Sequence, residues 1–234
     1  MPTIVFASPK GGAGKSTSAV LLATELALKG AAVTVIDADQ NKPVSEWAKR
    51  AGCPENLTVI ADISEKTIIE EIEAAAQKTA FVIVDLEGTA SMMVGYAISR
   101  ADIVIVPTQG SQLDAKEAAK AINLIKQQER AFKKTIPYAI LYTRTSSAIR
   151  PRTLAHIQQE FQKHGVRCFQ THIHEREAYR ALFSFGGTLE SLNPGAVSNL
   201  GAAIINARAF AGETVAMLRS SVQPAASASD EKVA

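Results

Sequence analysis

Short runs of apolar and β-branched residues alternate with longer helical patterns along most of the chain. The runs predict strands at residues 3–8, 32–37, 57–61, 81–85, 102–106, 136–142 and 166–169. Several of them are almost entirely apolar, which is typical of a parallel sheet covered on both faces. The alternation of strands with helices therefore predicts an α/β, doubly wound fold. We expect a mostly parallel sheet, built from right-handed βαβ crossovers, with helices on both faces.

The helical patterns fill the segments between the strands, at residues 16–29, 44–50, 65–78, 113–132, 151–164 and 175–183. Ser64 and Ser111 stand at the starts of two of them, and Asp114 follows Ser111 at the spacing of a capped helix start. Apolar residues at helical spacing over 197–218 predict a terminal helix packed on the domain.

Composition agrees with one globular domain. The chain has 234 residues, of which 47% are hydrophobic and 21% charged, and a chain of this size buries most of its apolar surface in one core. We expect a single domain at residues 1–219 and a disordered tail at 220–234, where small and polar residues prevail. Cys53 and Cys168 form no C-x-x-C pair, and no run of roughly 18 apolar residues occurs. These features argue against a disulfide framework and a membrane span, and they favour the cytoplasm.

The strongest chemical signal lies between the first predicted strand and the first predicted helix. Residues 9–17 read Pro-Lys-Gly-Gly-Ala-Gly-Lys-Ser-Thr. The glycines allow a tight turn whose amides face a phosphate, at the positive end of the following helix. Lys15 would reach the β- and γ-phosphates, and the Ser16 hydroxyl would join a Mg²⁺ shell. The sequence therefore predicts an ATP and Mg²⁺ site whose nucleotide-binding residues are Gly11, Gly12, Ala13, Gly14, Lys15, Ser16 and Thr17.

This loop departs from the ordinary phosphate loop at its start, where Pro9 replaces glycine and Lys10 follows. With that change it resembles the deviant Walker A motif of ParA/MinD P-loop ATPases. The resemblance implies Mg²⁺-dependent hydrolysis of ATP to ADP and phosphate. It also implies an ATP-sandwich homodimer in which Lys10 reaches the partner's phosphates, as an arginine finger supplied in trans does.

Three aspartates at predicted strand ends extend the resemblance. Asp37 and Asp39 resemble the Walker A′ motif, and alternation along a strand puts both on one side. Asp85 ends a run that resembles Walker B. The resemblance implies that Asp37 lies near Mg²⁺, that Asp39 positions or deprotonates the attacking water, and that Asp85 holds Mg²⁺ through water. The predicted catalytic residues are thus Lys10, Lys15 and Asp39, and the predicted metal site is Ser16, Asp37 and Asp85.

The resemblance covers about residues 3–190. Thr143 and Arg144 resemble the adenine-side loop of small ParA proteins and are predicted to contact the nucleotide. Gly88 fits a loop that rearranges when the γ-phosphate is lost. Glu87 has no counterpart in the family pattern; it is either a solvated loop charge or a residue that modulates hydrolysis, and we favour the solvated charge.

Charge is distributed unevenly along the chain. The net charge is +2, but residues 133–180 carry nine basic and three acidic residues. A solvated helical surface is the simpler explanation of such a segment, whereas the resemblance favours non-specific binding of double-stranded DNA by the ATP dimer on the nucleoid. The loop begins at residue 10, too early for the N-terminal helix-turn-helix of larger ParA proteins, so we expect no operator specificity. The predicted DNA-binding residues are Arg150, Arg152, Lys163, Arg167, Arg176 and Arg180.

Three functions fit these features. The first is plasmid or other cargo segregation, with a ParB-like or other adaptor protein that stimulates hydrolysis. Residues 37–43, followed by Trp47, and residues 174–176 together also resemble ParA relatives that assist conjugative T-DNA transfer, so recruitment of a DNA-transfer complex is the second. A MinD-like positioning ATPase is the third. A Ser/Ala-rich, mildly acidic C-terminal segment argues against its membrane-binding helix, and we expect no membrane partner.

Overall fold

The computed structural model describes residues 1–88, 91–149 and 151–222. Its strands are β1 (Thr3–Phe6), β2 (Val33–Ala38), β3 (Leu57–Ile60), β4 (Phe81–Leu86), β5 (Ile103–Thr108), β6 (Tyr138–Thr145) and β7 (Ile173–His174). Its helices are α1 (Lys15–Leu28), α2 (Pro43–Ala48), α3 (Ile68–Lys78), α4 (Met92–Ser99), α5 (Gln112–Phe132), α6 (Arg152–Lys163), α7 (Glu177–Phe185) and α8 (Leu200–Val222). A 3₁₀ turn at Leu189–Ser191 lies between α7 and α8.

The strands form one seven-stranded sheet in the order β3-β2-β4-β1-β5-β6-β7, and every described strand pair is parallel. The predicted doubly wound α/β fold is confirmed. β1 is central, with β4 and β5 as its neighbours, so the direction of winding reverses beside it. In open parallel sheets, ligands bind outside the carboxyl ends of the strands at such a reversal.

Both faces of the sheet are covered, which explains why the strands are almost entirely apolar. Along β1, Ile4 and Phe6 join one core, together with buried residues of α1, α2, α7 and α8. Val5 belongs to the opposite core, which contains buried residues of α3, α4, α5 and α6. Alternate side chains of one strand therefore enter two separate apolar layers, and polar groups are left for the strand ends.

The predicted strand at residues 166–169 is wrong in extent. Only Cys168 pairs with the sheet there, through a single parallel bridge to Ile140. The backbone amides of Gln170 and Thr171 donate to the Glu213 carboxylate of α8, at 2.7 and 2.8 Å, which ends the pairing with β6. Parallel pairing resumes in the two residues of β7.

Helix α4 was not predicted. Its sequence is apolar on all sides and shows no amphipathic stripe, and Gly95 interrupts it. That glycine allows close packing, because a Cβ at this position would lie 3.1 Å from the Gln128 side chain of α5. Ser91 caps the start of α4, because its hydroxyl accepts the Val94 N–H.

The helix ends differ in how well the sequence predicts them. The capped start at Ser111 and Asp114 is confirmed as a reciprocal capping box. Ser64 does not cap α3, which begins four residues later; its hydroxyl instead contacts the Thr67 hydroxyl at 3.2 Å. Helix α8 continues to Val222, beyond the predicted domain end at 219, and residues 223–234 of the predicted tail lie outside the described residues. Within the described chain, no helix combines the length and apolarity needed to cross a bilayer.

Gly186 offers a test of how α7 packs on the segment after α2. It has a φ of +82°, and a Cβ there would lie 2.4 Å from the Arg50 Cβ and 2.9 Å from the Ala51 carbonyl oxygen. Gly165 shares the positive φ but has open space around it. We expect Gly165→Ala to cost about 1–2 kcal/mol from backbone strain alone, and Gly186→Ala to cost roughly 1–3 kcal/mol more, from the clash and from its ψ of −167°, a conformation that is almost restricted to glycine. Urea unfolding measures both, and equal losses would contradict the packing argument.

Candidate nucleotide site

The phosphate loop joins the end of β1 to the start of α1 at the carboxyl edge of the sheet. Gly12 and Gly14 adopt left-handed conformations, with φ of 71° and 94°, which side chains disfavour. Gly14 caps α1 with its own carbonyl, which accepts the Ser18 N–H at 2.9 Å. The first amides of α1 therefore remain available at the positive end of the helix, as an anion site requires.

Neighbouring strands hold the loop in place. The Thr143 hydroxyl, at the end of β6, donates to the Ala13 carbonyl at 2.7 Å and is buried. The Gln109 amide donates to the Gly12 carbonyl at 3.2 Å. Gly88 packs against the loop, because a Cβ there would lie 3.3 Å from the Gly11 amide nitrogen. Thr143 was predicted only as a nucleotide contact, and its bond to the loop was not anticipated.

A cavity of about 500 Å³ lies against the loop, which suits a ligand of nucleotide size. All seven predicted nucleotide-binding residues of the loop line this cavity. The full lining is Pro9, Gly11, Gly12, Ala13, Gly14, Lys15, Ser16, Thr17, Asp39, Asn41, Glu87, Gly88 and Arg144.

Lys15 is the buried cation of this cavity. Its Nζ donates to the Ser8 carbonyl at 3.3 Å, and its side chain is buried. Burial lowers the pKa of Lys15, whereas Asp85, Asp39 and Glu87 act in the opposite direction. A desolvated ammonium group beside free helix amides is suited to a phosphate group, which would restore its lost hydration.

Asp85 is the most unusual group of the site. It is fully buried, and neither carboxylate oxygen has a hydrogen-bond partner among the described residues. Burial raises the pKa of Asp85 to about 7, although the nearby Ser16 hydroxyl favours the charged form. A buried carboxylate beside a hydroxyl provides the hard oxygen donors that Mg²⁺ prefers. The residues present therefore fit the implied Mg²⁺, with Asp85 and Ser16 as the groups that would hold it.

The other two aspartates already have partners. Asp37 is fully buried, its Oδ2 accepts the Ser45 N–H of α2 at 2.7 Å, and its Oδ1 accepts the Asp39 N–H at 3.4 Å. Burial raises the pKa of Asp37, and these amides oppose the shift. Asp39 lines the cavity, where its Oδ1 accepts the backbone and side-chain N–H groups of Asn41. The role of Asp37 near Mg²⁺ stays a prediction, and the structure gives it a further role as the cap of α2.

Lys10 does not line its own cavity. Its Nζ forms an ion pair with Asp114 of α5, and the Lys10 side chain is 41% exposed. Asp114 also belongs to the capping box, so one carboxylate holds both a helix start and the lysine. The sequence marked Asp114 as a helix cap but did not indicate the contact with Lys10.

A second cavity, of about 250 Å³, adjoins Gly14 on the side of β6 and α7. Arg144 lines both cavities, and Thr143 lines this one. The predicted DNA-binding residues Arg176 and Arg180 line it as well. The Arg176 Nε atom is buried and has no hydrogen-bond partner among the described residues. Part of the Arg176 guanidinium is thus withdrawn from solvent, which does not favour contact with a DNA backbone.

The other predicted DNA-binding residues lie around α6. Arg152, Lys163 and Arg167 are exposed. Lys163 pairs with Glu160 at 2.8 Å, and the Arg167 guanidinium donates to the Ser220 hydroxyl at 3.3 Å. Arg180 is exposed and pairs with Glu175 and Glu177. Arg150 lies outside the described residues.

Comparison with known proteins relates this geometry to a family. A family model described as VirC1 protein matches residues 1–224. Protein ParA of Rhizobium radiobacter is 45% identical over 211 residues, which cover 90% of this chain and 95% of that protein. An ATP complex of McdA from Cyanothece has a TM-score of 0.71 at 17% identity and covers 95% of this chain and 96% of its own. The Mg-ADP complex of MinD from Pyrococcus horikoshii has a TM-score of 0.70 at 14% identity and covers 95% of this chain and 99% of its own. These two structures share the fold.

The raised pKa of Asp85 predicts that burial of its charged form lowers the free energy of unfolding of the ligand-free protein, by an amount that depends on pH. Its folded pKa of about 7 exceeds the ordinary value of 3.8, so the folded state binds the additional proton, and stability falls as pH rises between these values. Asp85→Asn should remove this cost, which is on the order of 4 kcal/mol, and raise Tm by roughly 8–16 °C at about pH 8 in Mg²⁺-free buffer. At about pH 4 the gain should largely disappear.

The matched control is Asp62→Asn, an exposed carboxylate paired with Lys42. Its Tm should stay close to that of the wild type at both pH values, because exposed ion pairs contribute little. An Asp85→Asn gain that does not depend on pH would contradict the assignment of the cost to the buried charge.

Proposed function

The chain belongs to the VirC1 protein family and is a ParA/MinD-type ATPase, and on that premise we propose that it segregates DNA cargo as an ATP-dependent dimer. In this proposal two copies close over ATP and Mg²⁺, bind double-stranded DNA without sequence preference on the nucleoid, and separate after hydrolysis. A ParB-like adaptor stimulates the hydrolysis. The cargo proposed is a plasmid.

The position of Lys10 is the observation that carries this proposal. It adjoins the phosphate loop, yet its ammonium pairs with Asp114 and does not line the cavity of its own chain. A lysine beside a phosphate site that it does not serve is available to a second copy. Positive charge delivered by a partner stabilises the charge that develops in phosphoryl transfer.

The remaining roles follow from where each group lies. Lys15 and the loop amides bind the β- and γ-phosphates, while Asp85 and Ser16 hold Mg²⁺. The bound metal neutralises phosphate charge. Asp39, at the open side of the cavity, orients the attacking water. Thr143 and Gln109 fix the loop to the sheet, so these groups are held in position before ATP binds.

DNA binding is proposed for the exposed cations around α6. Arg152 and Arg167 are the clearest candidates, because neither forms an ion pair with a described residue, whereas Lys163 and Arg180 pair with glutamates. Contacts from one protomer give weak, salt-sensitive binding, and dimerisation doubles their number. ATP thereby controls the affinity for DNA.

Recruitment of a DNA-transfer complex is the second candidate function. It is favoured by the segment from Asp37 to Trp47, which resembles ParA relatives that assist conjugative T-DNA transfer. In the structure this segment is organised around Asp37, which caps α2, and Trp47, whose indole N–H donates to the Gly187 carbonyl at 3.1 Å. A fluorescent fusion distinguishes the two candidates, because segregation predicts signal over the nucleoid and recruitment predicts a focus at a cell pole.

The Lys10 contact predicts opposite effects for two substitutions. Lys10→Ala should bind ATP with an affinity within about threefold of the wild type but should not dimerise, because the trans charge is lost. Asp114→Asn keeps an amide oxygen for the helix cap but weakens the hold on Lys10. It should dimerise at about two- to fivefold lower ATP concentration, as expected for a partly exposed ion pair. Analytical ultracentrifugation with a non-hydrolysable ATP analogue measures both.

Lys49→Ala is the matched control, since it breaks an exposed ion pair, with Glu46, away from the phosphate loop. It should dimerise as the wild type does. An ordinary ATP-dependent dimer of Lys10→Ala would contradict the proposed trans role.

The DNA proposal predicts a change in salt dependence. If a dimer contacts ~6 phosphates, the log–log slope of affinity against salt is about −5. The double variant Arg152→Glu and Arg167→Glu should reduce it to about −2 and leave ATP affinity unchanged. Fluorescence anisotropy on random-sequence duplex DNA, with ATP and increasing KCl, measures the slope.

Lys66→Glu with Lys126→Glu is the matched control. It changes the charge equally at two exposed lysines, one before α3 and one in α5. The slope of this control should stay at the wild-type value. Equal weakening in both double variants would indicate a net-charge effect and exclude a defined surface at α6.

A further inference from the structure

Glu87 lies at the phosphate cavity, contrary to the expectation of a solvated loop charge. It follows directly after β4, is half-buried, and lines the cavity together with Lys15 and Asp39. The next residue, Gly88, packs closely against the phosphate loop, because a Cβ there would lie 3.3 Å from the Gly11 amide nitrogen. The carboxylate is close enough to Lys15 to raise the pKa of that ammonium group, after Asp85 and Asp39.

The carboxylates of the site differ in what they can still bind. Asp37 uses one oxygen on the Ser45 amide of α2 and the other on the Asp39 amide. One oxygen of Asp39 already accepts two hydrogen bonds from Asn41. Asp85 is fully buried at the base of the site, where the Mg²⁺ shell is expected. Glu87 makes no hydrogen bond or ion pair with another described residue, so it can accept hydrogen bonds at the rim of the cavity.

The Glu87 carboxylate would repel the phosphates of a bound nucleotide, so its place in the cavity calls for an explanation. One more negative charge beside a triphosphate weakens binding unless it acts on something else in the cavity. The small polar molecule that must enter a hydrolytic site is water, and a free carboxylate oxygen can accept its hydrogen bond. The side chain of Glu87 is one methylene longer than that of Asp39, and both residues line the same cavity.

We propose that Glu87 is a second water-positioning residue, which acts with Asp39 on the water that attacks the γ-phosphate. This inference rests on the proposed ATPase function. The water oxygen forms a bond to the γ-phosphorus as the bond from that phosphorus to the bridging oxygen breaks, and the electron pair leaves with ADP. The water proton ends on the phosphate product. Glu87 accepts a hydrogen bond from this water and is unchanged by the reaction, so its contribution is orientation.

The test is a comparison of ATP binding with single-turnover hydrolysis. Glu87→Gln keeps the size of the side chain and removes its charge. We expect ATP affinity equal to or tighter than that of the wild type and a retained ATP dimer, with hydrolysis slower by roughly 10- to 100-fold. The double variant of Asp39→Asn and Glu87→Gln should be no slower than the slower single variant, because groups that act on one water are not additive.

Glu65→Gln is the matched control, as an exposed glutamate outside the cavity, and should hydrolyse ATP at the wild-type rate. Wild-type hydrolysis in Glu87→Gln, or weaker ATP binding with an unchanged rate, would overturn the proposal. Multiplicative losses in the double variant would also overturn a shared water. If the wild-type chain itself neither binds nor hydrolyses ATP, the proposed function fails, and that result is distinct from a failure of Glu87 alone.

Discussion

The site depends on the parallel register of three central strands. Phe6 of β1 pairs in register with Asp85 of β4, which pairs with Asp37 of β2. Backbone hydrogen bonds on both sides of β1 fix the relative positions of these paired residues. On their amino-terminal side the strands are buried in two apolar layers. The charged side chains of these three strands therefore lie only at or beyond these paired residues. The phosphate loop, the aspartates and Glu87 converge because each follows its strand across the same edge.

This constraint explains what could be predicted from the sequence. Apolar runs locate the strands, and strand ends locate Asp37 and Asp85, because both are consequences of local pattern. The contact of Lys10 with Asp114 joins residues 104 positions apart and depends on where α5 packs, which no local pattern specifies. The same is true of Arg176, whose basic charge indicated a DNA surface. The packing of α7 instead places it at the cavity beside the phosphate loop.

In the ligand-free site two buried groups lose stability when they are charged, and this loss favours the binding of ligands of opposite charge. Burial raises the pKa of Asp85 and lowers that of Lys15, so both charged forms are disfavoured before a ligand arrives. A bound phosphate would stabilise the charged form of Lys15, and a bound divalent cation would stabilise the charged form of Asp85. Binding to the folded state alone also stabilises the fold by mass action. Bound nucleotide and metal would together restore the stability that these buried charges cost the free protein.

The strength of the Lys10 contact suits a reversible dimer. An ion pair with a partly exposed lysine contributes about 0.2–1 kcal/mol, which ATP and a second phosphate site can exceed. Asp114 would keep its place after Lys10 leaves, because Ser111 holds it in the capping box of α5. In the proposed dimer the helix start would thus be preserved while Lys10 exchanges Asp114 for the phosphates of the second copy. Because the DNA surface proposed at α6 lies on other elements, dimerisation would raise DNA affinity by doubling the contacts, with no rearrangement of the basic residues themselves.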